Sequence, residues 1–234
     1  MPYRAVVTDL DGTLLNPQGK LSFNTISTLK KLHNVDVELI LATGRHPQDA
    51  QNIARTLDLP VWIVGLNGAQ TLCNTNNKVI DEHYIGSDCV SEVLAAIEGK
   101  NVHLNIFDTH GWKVFESIWV PTDITDIEQD LRHHFAHRLE FYRISSNQLE
   151  IGPPNISKAT AVIKLLASRG INFQSQAIAF GDGWNDLSML TQAAEGVVMC
   201  NASPEFKAML HSLPVTLSNS RDGVANYLNK IFNL

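Results

Sequence analysis

The chain has 234 residues, of which 44% are hydrophobic and 18% are charged, and its formal net charge is −6. This composition excludes an intrinsically disordered chain, and the length suits one globular domain with a smaller insert. The acidic balance, with no run of Lys or Arg, argues against a nucleic-acid partner, and no apolar stretch approaches the roughly 20 residues that span a bilayer.

The first third of the chain alternates between short apolar runs and helical patterns. Apolar runs predict strands at residues 5–8, 37–41 and 61–64. Helical spacing predicts helices at residues 21–33 and 47–57, the second of which has Pro in its first turn. Because these strands show no polar alternation, we expect them to form a parallel sheet that is covered on both faces.

The pattern changes after Asn67 and Gly68, where alternating runs separated by polar turns replace the strand–helix rhythm. Hairpins are predicted at residues 70–82, 103–119 and 139–152. Helices are predicted at residues 87–98 and from a capping box at residues 125–128. Adjacent hairpins with helices between them indicate a small α+β domain.

The strand–helix rhythm returns after residue 152. Strands are predicted at residues 177–180, 196–199 and 215–217. Helices are predicted at residues 158–169, capped by Ser157, at residues 185–193, and beginning at residues 203 and 223. We therefore predict an α/β fold with a doubly wound parallel sheet in residues 1–82 and 153–234, interrupted by an inserted α+β domain at residues 83–152.

The N-terminal segment and the cysteines indicate the compartment of the protein. The first residues contain no long uncharged apolar core and no small-residue cleavage site, so they do not resemble a secretory signal. Cys73, Cys89 and Cys200 are far apart and odd in number, which argues against a disulfide framework or a metal-binding pair. We expect reduced thiols in a cytoplasmic protein with no membrane partner, and the sequence does not indicate an oligomeric state.

Four polar segments stand where predicted strands end. They have the sequences TDLDGTL at residues 8–14, LILATGR at residues 39–45, SKAT at residues 157–160 and FGDGWND at residues 180–186. In an open parallel sheet, the C-terminal ends of the strands converge on the ligand crevice. We therefore expect these segments to form one site.

The first segment carries two carboxylates, Asp9 and Asp11, which leave a strand and enter a turn at Gly12. An EF-hand loop is excluded, because the Gly comes too early and no Glu closes the loop. A polar turn with a capping Asp and the DxD pair of a sugar-nucleotide transferase both remain possible from this segment alone.

The other three segments suit the binding of a phosphate and of a hard cation. Thr43 can donate to a phosphate oxygen, and the Gly44 amide can approach it closely. Lys158 in the first turn of a helix is unfavourable for the helix dipole unless an anion lies there. Asp182 and Asp186 offer oxygen ligands that suit Mg²⁺. Taken singly, the Thr-Gly pair could be an ordinary turn and Lys158 a solvated side chain.

Taken together and in this order, the four segments resemble the four motifs of the haloacid dehalogenase-like phosphohydrolases. The insert lies between the second and third motifs and resembles the type IIB cap of the Cof-like branch, as does the Asn67-Gly68-Ala69 segment before it. One departure is Ala159, where relatives often have Gly. The resemblance implies a Rossmann-like core with a mobile cap.

The resemblance also implies a phosphatase mechanism. Asp9 would be the nucleophile that forms an aspartyl-phosphate, and Asp11 would protonate the leaving oxygen and then activate water. Mg²⁺ would be held by Asp9, by the main-chain carbonyl of Asp11 and by Asp182, with Asp186 acting through water. The phosphate oxygens would be bound by the amides of Leu10 and Gly44 and the side chains of Thr43, Lys158 and Asn185.

The implied substrate is a small phosphorylated metabolite, with sugar phosphates as the first expectation. Candidate leaving-group contacts are Arg45, Asn67, His103, Asn105, Trp112 and Arg143. A phosphomutase of the same superfamily stays open, as does a phosphometabolite-binding regulator without turnover, although the retention of Asp9 and Asp11 argues against the regulator. A dehalogenase fits less well, because those enzymes lack the second carboxylate and need no metal.

Overall fold

The computed structural model describes residues 3–103, 106–108, 111–113, 117–119 and 123–234. Its strands are β1 (Ala5–Thr8), β2 (Glu38–Ala42), β3 (Trp62–Gly65), β4 (Gln70–Cys73), β5 (Val79–Glu82), β6 (Ile106–Asp108), β7 (Gly111–Lys113), β8 (Ser117–Trp119), β9 (Glu140–Ser145), β10 (Gln148–Gly152), β11 (Ala177–Gly181), β12 (Glu195–Met199) and β13 (Val215–Thr216). Its α-helices are α1 (Phe23–His33), α2 (Pro47–Leu57), α3 (Ser87–Ile97), α4 (Thr125–Phe135), α5 (Lys158–Ser168), α6 (Phe173–Gln176), α7 (Leu187–Gln192), α8 (Pro204–Met209) and α9 (Gly223–Phe232).

These elements form two compact units. The first unit contains the residues up to Glu82 together with Ser157–Leu234, and the second contains His83–Ile156. Among the described residues, the helices are all too short or too polar to cross a bilayer.

The first unit is built on an eight-stranded sheet with the order β13-β12-β11-β1-β2-β3-β4-β5. The strands from β13 to β3 run parallel to their neighbours, whereas β4 and β5 are antiparallel. The prediction of an α/β fold with a large parallel sheet is confirmed. The hairpin predicted at residues 70–82 forms β4 and β5 and extends this sheet at one edge.

Both faces of the sheet are buried, which explains why its strands read as continuous apolar runs. Alternate residues of one strand belong to the two hydrophobic cores on opposite faces of the sheet: Val6 packs on one face, and Ala5 and Val7 pack on the other. Leu39 and Ile40 divide between the two faces in the same way. A strand with helices on both faces has no solvent-exposed side and therefore no polar alternation.

Helix boundaries follow the local signals in two cases and depart from them in one. Helix α2 has the predicted bounds, and Ser157 caps α5 in a reciprocal capping box with Thr160. The capping box predicted at the start of α4 is wrong. Thr125 is already inside the helix and its amide donates to Asp123 Oδ1 at 2.7 Å, while Glu128 is turned toward Arg132 at 2.8 Å.

The second unit contains a three-stranded sheet, β8-β10-β9, and a separate hairpin of β6 and β7. Helices α3 and α4 contribute Val93, Leu131 and Phe135 to a core that also contains Leu149 of β10. One strand had been predicted across residues 113–119. In the structure, Lys113 belongs to β7, which pairs with β6, whereas Ser117–Trp119 form β8, which pairs with β10. The predicted turn at residue 110 lies outside the described residues.

Candidate active site

Asp9 lies at the C-terminal end of β1, between the ends of its two neighbours in the sheet. Strand β1 pairs with β2 on one side and with β11 on the other, and the Asp9 amide donates to the Phe180 carbonyl at 3.1 Å. The side chain is 9% exposed. The strand order therefore brings the segments that follow β1, β2 and β11 to one edge of the sheet, as expected for parallel strands.

The turn after Asp9 is shaped by its contact with Asp182. Gly12 has a φ of +75°, and a Cβ placed there would lie 2.2 Å from Asp182 Oδ2. Both the backbone conformation and the close approach require glycine. The next residue, Thr13, is buried and donates from Oγ1 to Asp182 Oδ1 at 2.8 Å. The turn after β1 thus fixes the carboxylate that follows β11.

Lys158 lies in the first turn of α5 and is completely buried. Its ammonium donates to Asp9 Oδ1 at 2.6 Å and to Asp186 Oδ1 at 2.7 Å. Burial by itself would lower the pKa of a lysine, but Asp186 and Asp9 outweigh burial and raise the pKa of Lys158. The side chain is therefore a buried cation held between two carboxylates.

The site carries more negative than positive charge. One oxygen from each of Asp9, Asp182 and Asp186 lies within 4.8 Å of the other two. Burial, followed by the charge of Asp186, raises the pKa of Asp182 to about 6. Burial also raises the pKa of Asp9, and although Lys158 opposes this shift, the charges of Asp186 and Asp182 add to it. Carboxylates that repel one another in this way are stabilised by a cation between them, so the residues fit a divalent metal.

Asp186 is held more firmly than the other two carboxylates. Its Oδ2 accepts the amides of Asp182 and Gly183 at 3.0 and 3.1 Å, and its Oδ1 accepts Lys158. Both oxygens of Asp186 are therefore used within the protein. Asp9 and Asp182 each accept a hydrogen bond on one oxygen.

The segment after β2 places Arg45 on Asp11. The Arg45 guanidinium makes a two-point pair, with Nε 2.5 Å from Asp11 Oδ2 and Nη2 2.6 Å from Oδ1. The same segment positions Thr43, whose hydroxyl oxygen accepts the Arg45 amide at 3.1 Å and whose own hydrogen can still be donated. Gly44, half-buried, lies between them. Arg45 had been predicted to contact the substrate, and in this structure it contacts Asp11.

Asn67 joins two of the four motif segments. Its amide donates to the Thr43 carbonyl at 3.0 Å, and its Oδ1 accepts from Asn185 Nδ2 at 3.0 Å. Leu66 and Asn67 both have φ near +50°, at 51° and 52°, and Gly68 at +107° could not carry a Cβ, which would lie 2.3 Å from the Ser157 carbonyl oxygen. Asn67, also predicted as a substrate contact, is 4% exposed and orients Asn185.

Comparison with known proteins identifies the family. The model of the haloacid dehalogenase-like hydrolases matches residues 6–122 and 118–228. The chain belongs to this family. The predicted membership is therefore confirmed, and so is the prediction of a phosphatase, a phosphoric monoester hydrolase.

Individual members of the family align over nearly the whole chain. A putative phosphatase of Haemophilus influenzae is 28% identical, with 100% of this chain and 98% of the relative covered. An HMP-PP phosphatase of Serratia proteamaculans is 27% identical, with 97% and 94% covered. The solved structure of the subclass IIB sugar phosphatase BT4131 superposes with a TM-score of 0.81 at 22% identity, covering 98% of this chain and 99% of that one, which supports the same fold.

Arg143, one of the second-unit residues predicted as leaving-group contacts, is engaged within its own unit. Its guanidinium donates to Glu128 Oε2 at 2.7 Å, to Asp123 Oδ1 at 3.1 Å and to Thr125 Oγ1 at 3.0 Å, and also to the carbonyls of Ser145 and Ser146. Arg143 thus ties the start of α4 to the β9–β10 hairpin, which is a structural role. His103 also belongs to this unit. Asn105 and the side chain of Trp112 lie outside the described residues.

The structure brings together the predicted residues of the first unit and adds others that sequence reasoning missed. Asp9, Lys158, Asp182 and Asp186 form one connected cluster. Sequence reasoning missed Thr13, which contacts Asp182. It also missed Asn201 and Asn219, which contact the turn after Asp9. Thr13 lay inside the first motif and could have been found as a hydroxyl beside the turn glycine, whereas the two asparagines carry no local signal.

Proposed function

We propose that this haloacid dehalogenase-like hydrolase is a Mg²⁺-dependent phosphatase of small phosphorylated metabolites that forms an aspartyl-phosphate on Asp9. The observation that carries the proposal is the cluster of Asp9, Asp182 and Asp186, in which the buried cation Lys158 pairs with Asp9 and Asp186. This arrangement provides a nucleophile, a binding place for a divalent cation and a phosphate-binding lysine at one edge of the sheet.

The residues that would hold Mg²⁺ are Asp9, Asp182 and the main-chain carbonyl of Asp11, all hard oxygen donors. Asp186 would act through water, because its two oxygens already accept Lys158 and two amides. The cation would supply charge neutralisation between the carboxylates and the phosphate. Thr13 keeps Asp182 in place for this role through the 2.8 Å hydrogen bond.

The first chemical step uses Asp9 and Asp11. A carboxylate oxygen of Asp9 attacks the phosphorus atom in line, and the bond from phosphorus to the leaving oxygen breaks. Asp11 donates a proton to that oxygen, so the leaving group departs as an alcohol. Arg45, whose two N–H groups donate to both oxygens of Asp11, holds this side chain in place, and each oxygen keeps a further lone pair that can carry the proton.

The second step restores Asp9. Asp11, now a carboxylate, takes a proton from a water molecule as the water oxygen attacks phosphorus. The bond between phosphorus and the Asp9 oxygen breaks, which releases inorganic phosphate and the Asp9 carboxylate. Lys158, 2.6 Å from Asp9 Oδ1, stabilises that carboxylate as it forms.

We assign phosphate binding to donors on the four motif segments. Lys158 supplies the buried charge, Thr43 its hydroxyl, and Asn185 its amide, which Asn67 orients. The backbone amides of Leu10 and Gly44 complete the set that we propose. A compact group of donors suits the phosphoryl group that all substrates share, so these residues do not select among leaving groups.

We propose that the second unit is the cap that selects the leaving group. All four motifs lie in the first unit, so the chemistry is assigned there and the remaining contacts are assigned to residues 83–156. Sugar phosphates are our first expectation for the substrate, and HMP-PP joins them as a candidate because related proteins are HMP-PP phosphatases. Arg45 would reach a substrate only after it gives up Asp11.

The metal and the nucleophile are tested with purified protein and a phosphate-release assay. EDTA should remove activity and Mg²⁺ should restore it, while Ca²⁺ should support it poorly because it prefers more ligands in looser geometry. Asp9→Asn should retain the fold and lose turnover. Borohydride added during turnover should reduce the acyl phosphate, and mass spectrometry should locate the change at Asp9. Full activity after exhaustive EDTA treatment, or turnover by Asp9→Asn, would contradict the proposal.

The substrate is tested with a panel that contains hexose and pentose phosphates, HMP-PP and pyridoxal phosphate. We expect release of free phosphate, with the highest kcat/KM among the sugar phosphates or HMP-PP. Isomerised sugar phosphate without free phosphate would instead indicate a phosphomutase.

A cytoplasmic location belongs to the same proposal and is supported by the free, non-disulfide state of Cys73, Cys89 and Cys200.

A further inference from the structure

Two asparagine side chains hold the turn that follows Asp9. Asn201, just after β12, donates from Nδ2 to the Gly12 carbonyl at 2.7 Å. Asn219, after β13, donates from Nδ2 to the Leu15 carbonyl at 2.8 Å, and its backbone amide donates to Asn201 Oδ1 at 3.0 Å. The two loops thus bind both ends of the turn and each other.

The turn needs an external contact because of Gly12. Glycine permits the φ of +75°, and its lack of a Cβ leaves room for Asp182, but glycine also gives the backbone the greatest conformational freedom. The residue that allows this conformation therefore cannot enforce it. A hydrogen bond to the Gly12 carbonyl fixes the orientation of the peptide between Gly12 and Thr13, and Asn201 makes that hydrogen bond.

The residues on both sides of this peptide are connected to proposed metal ligands. Thr13, on the C-terminal side, donates to Asp182 Oδ1 at 2.8 Å. Asp11, on the N-terminal side, contributes its main-chain carbonyl in the proposed function. A change in the Gly12 backbone would therefore disturb two oxygen ligands together, although Asn201 itself is exposed and touches neither of them.

We infer that Asn201 is a positioning residue, which fixes the Gly12 peptide and through it sets the affinity of the site for Mg²⁺. This inference rests on the proposed function for the identity of the cation. Residues that orient metal ligands without touching the metal typically change metal affinity by about 10- to 100-fold when they are removed. Replacement of Asn201 should therefore act on metal binding rather than on phosphate binding by Lys158.

The chain offers a matched control in Asn74. Its side chain makes the same kind of bridge: Nδ2 donates to the Leu59 carbonyl at 2.8 Å, and Oδ1 accepts the Val61 amide at 2.9 Å. Asn74 follows the antiparallel strand β4 and contacts the segment that leads into β3. It therefore lies at the N-terminal ends of the parallel strands, whereas Asp9 and Asp182 follow their C-terminal ends. Asn74→Ala therefore removes an equivalent pair of hydrogen bonds away from the site.

The experiment compares the full-length wild type, Asn201→Ala and Asn74→Ala. Calorimetric titration with Mg²⁺ should give a Kd about tenfold or more weaker for Asn201→Ala and a Kd within about twofold of the wild type for Asn74→Ala. Inorganic phosphate should inhibit all three proteins with similar constants. Amide exchange measured without metal should be about fivefold faster at Leu14 and Leu15, whose amides close the turn onto Asp9 and Leu10, in Asn201→Ala alone.

The outcomes separate this inference from the proposed function. A wild type that binds Mg²⁺ and an Asn201→Ala variant that binds it equally well would overturn the role of Asn201. An equal weakening in Asn74→Ala would also overturn it, because the effect would then be a general loss of stability. A wild type that binds no Mg²⁺ would contradict the proposed function, and the exchange rates at Leu14 and Leu15 would still decide whether Asn201 holds the turn.

Discussion

Arg45 and Asp11 form a two-point ion pair, with nitrogen–oxygen distances of 2.5 and 2.6 Å, although 34 residues separate them in the chain. The pair joins the segment after β2 to the turn after β1. Its side chains are 36% and 55% exposed, so water screens the interaction. It therefore orients Asp11 without contributing much to folding.

We expect Arg45→Ala to change the free energy of unfolding by less than about 1 kcal/mol, because exposed ion pairs contribute little. Turnover of an alkyl phosphate should fall about tenfold, while turnover of p-nitrophenyl phosphate should hardly change, because only the poor leaving group needs a well-oriented acid. Steady-state kinetics on both esters and urea unfolding measure these effects. Arg138→Ala is the control, since Arg138 makes a similar two-point pair with Glu92 in the second unit. An equal loss on both esters would mean that Arg45 acts on the phosphoryl group.

Lys158→Ala should destabilise the metal-free protein by about 3–5 kcal/mol, because it leaves Asp9 and Asp186 buried without their cation. Mg²⁺ should restore part of this loss by binding the same carboxylates. The variant should also weaken inhibition by inorganic phosphate and lower kcat/KM for all esters by a similar factor. Lys164→Ala, on the same helix and 62% exposed, is the control and should change none of these. A change in preference among leaving groups would contradict the assignment of Lys158 to the shared phosphate.

Gly12→Ala should lower kcat by at least about 100-fold, because the new methyl group would occupy the place of Asp182 Oδ2. Gly19→Ala separates this effect from the cost of a positive φ. Gly19 has a φ of +69° and no atom within 4 Å of a Cβ, so its replacement should cost only about 1–2 kcal/mol of stability and leave kcat unchanged. Comparison of kcat and unfolding curves for the two variants decides the point. Equal activity in both would show that the contact with Asp182 is unimportant.

The raised pKa of Asp182 predicts a pH-dependent cost in the metal-free protein. Burial, followed by the charge of Asp186, raises the pKa of Asp182 in the folded protein from the ordinary 3.8 to about 6. Between these values the folded state binds more protons than the unfolded state, so stability falls as the pH rises and the loss is complete above about pH 6. Asp182→Asn removes this titration. In EDTA, the free energy of unfolding of Asp182→Asn relative to that of the wild type should therefore increase by about 1–3 kcal/mol as the pH rises from about 4 to 7.

Urea unfolding of the wild type and of Asp182→Asn, at about pH 4 and at about pH 7, measures this difference in the free energy of unfolding. Saturating Mg²⁺ should cancel the advantage of Asp182→Asn at neutral pH, because the cation binds the folded wild type more tightly than the variant. A difference between the two proteins that does not change with pH would contradict the assignment of the raised pKa to Asp182.

The sequence by itself determined the parallel core and the strand ends that carry Asp9 and Asp182. Strands buried on both faces, such as β1 and β11, must be continuously apolar, so the point where Asp9 or Asp182 follows such a run marks the edge of the sheet. Helix α2 begins at its proline and α5 at its capping Ser157, because these signals act within a few residues. The family motifs are local in the same sense, and they marked the segments that carry Asp9, Lys158 and Asp182, which the fold brings together.

The tertiary structure alone decided how these segments are held to one another. Arg45 binds Asp11 rather than standing free, and Asn67 binds Asn185 across 118 positions of the chain. Arg143 is committed within its own unit, and Asn201 reaches Gly12 from 189 residues away. Such contacts depend on which strand ends are neighbours in the sheet, and the order β12-β11-β1-β2 follows from the packing of the whole core rather than from any local pattern.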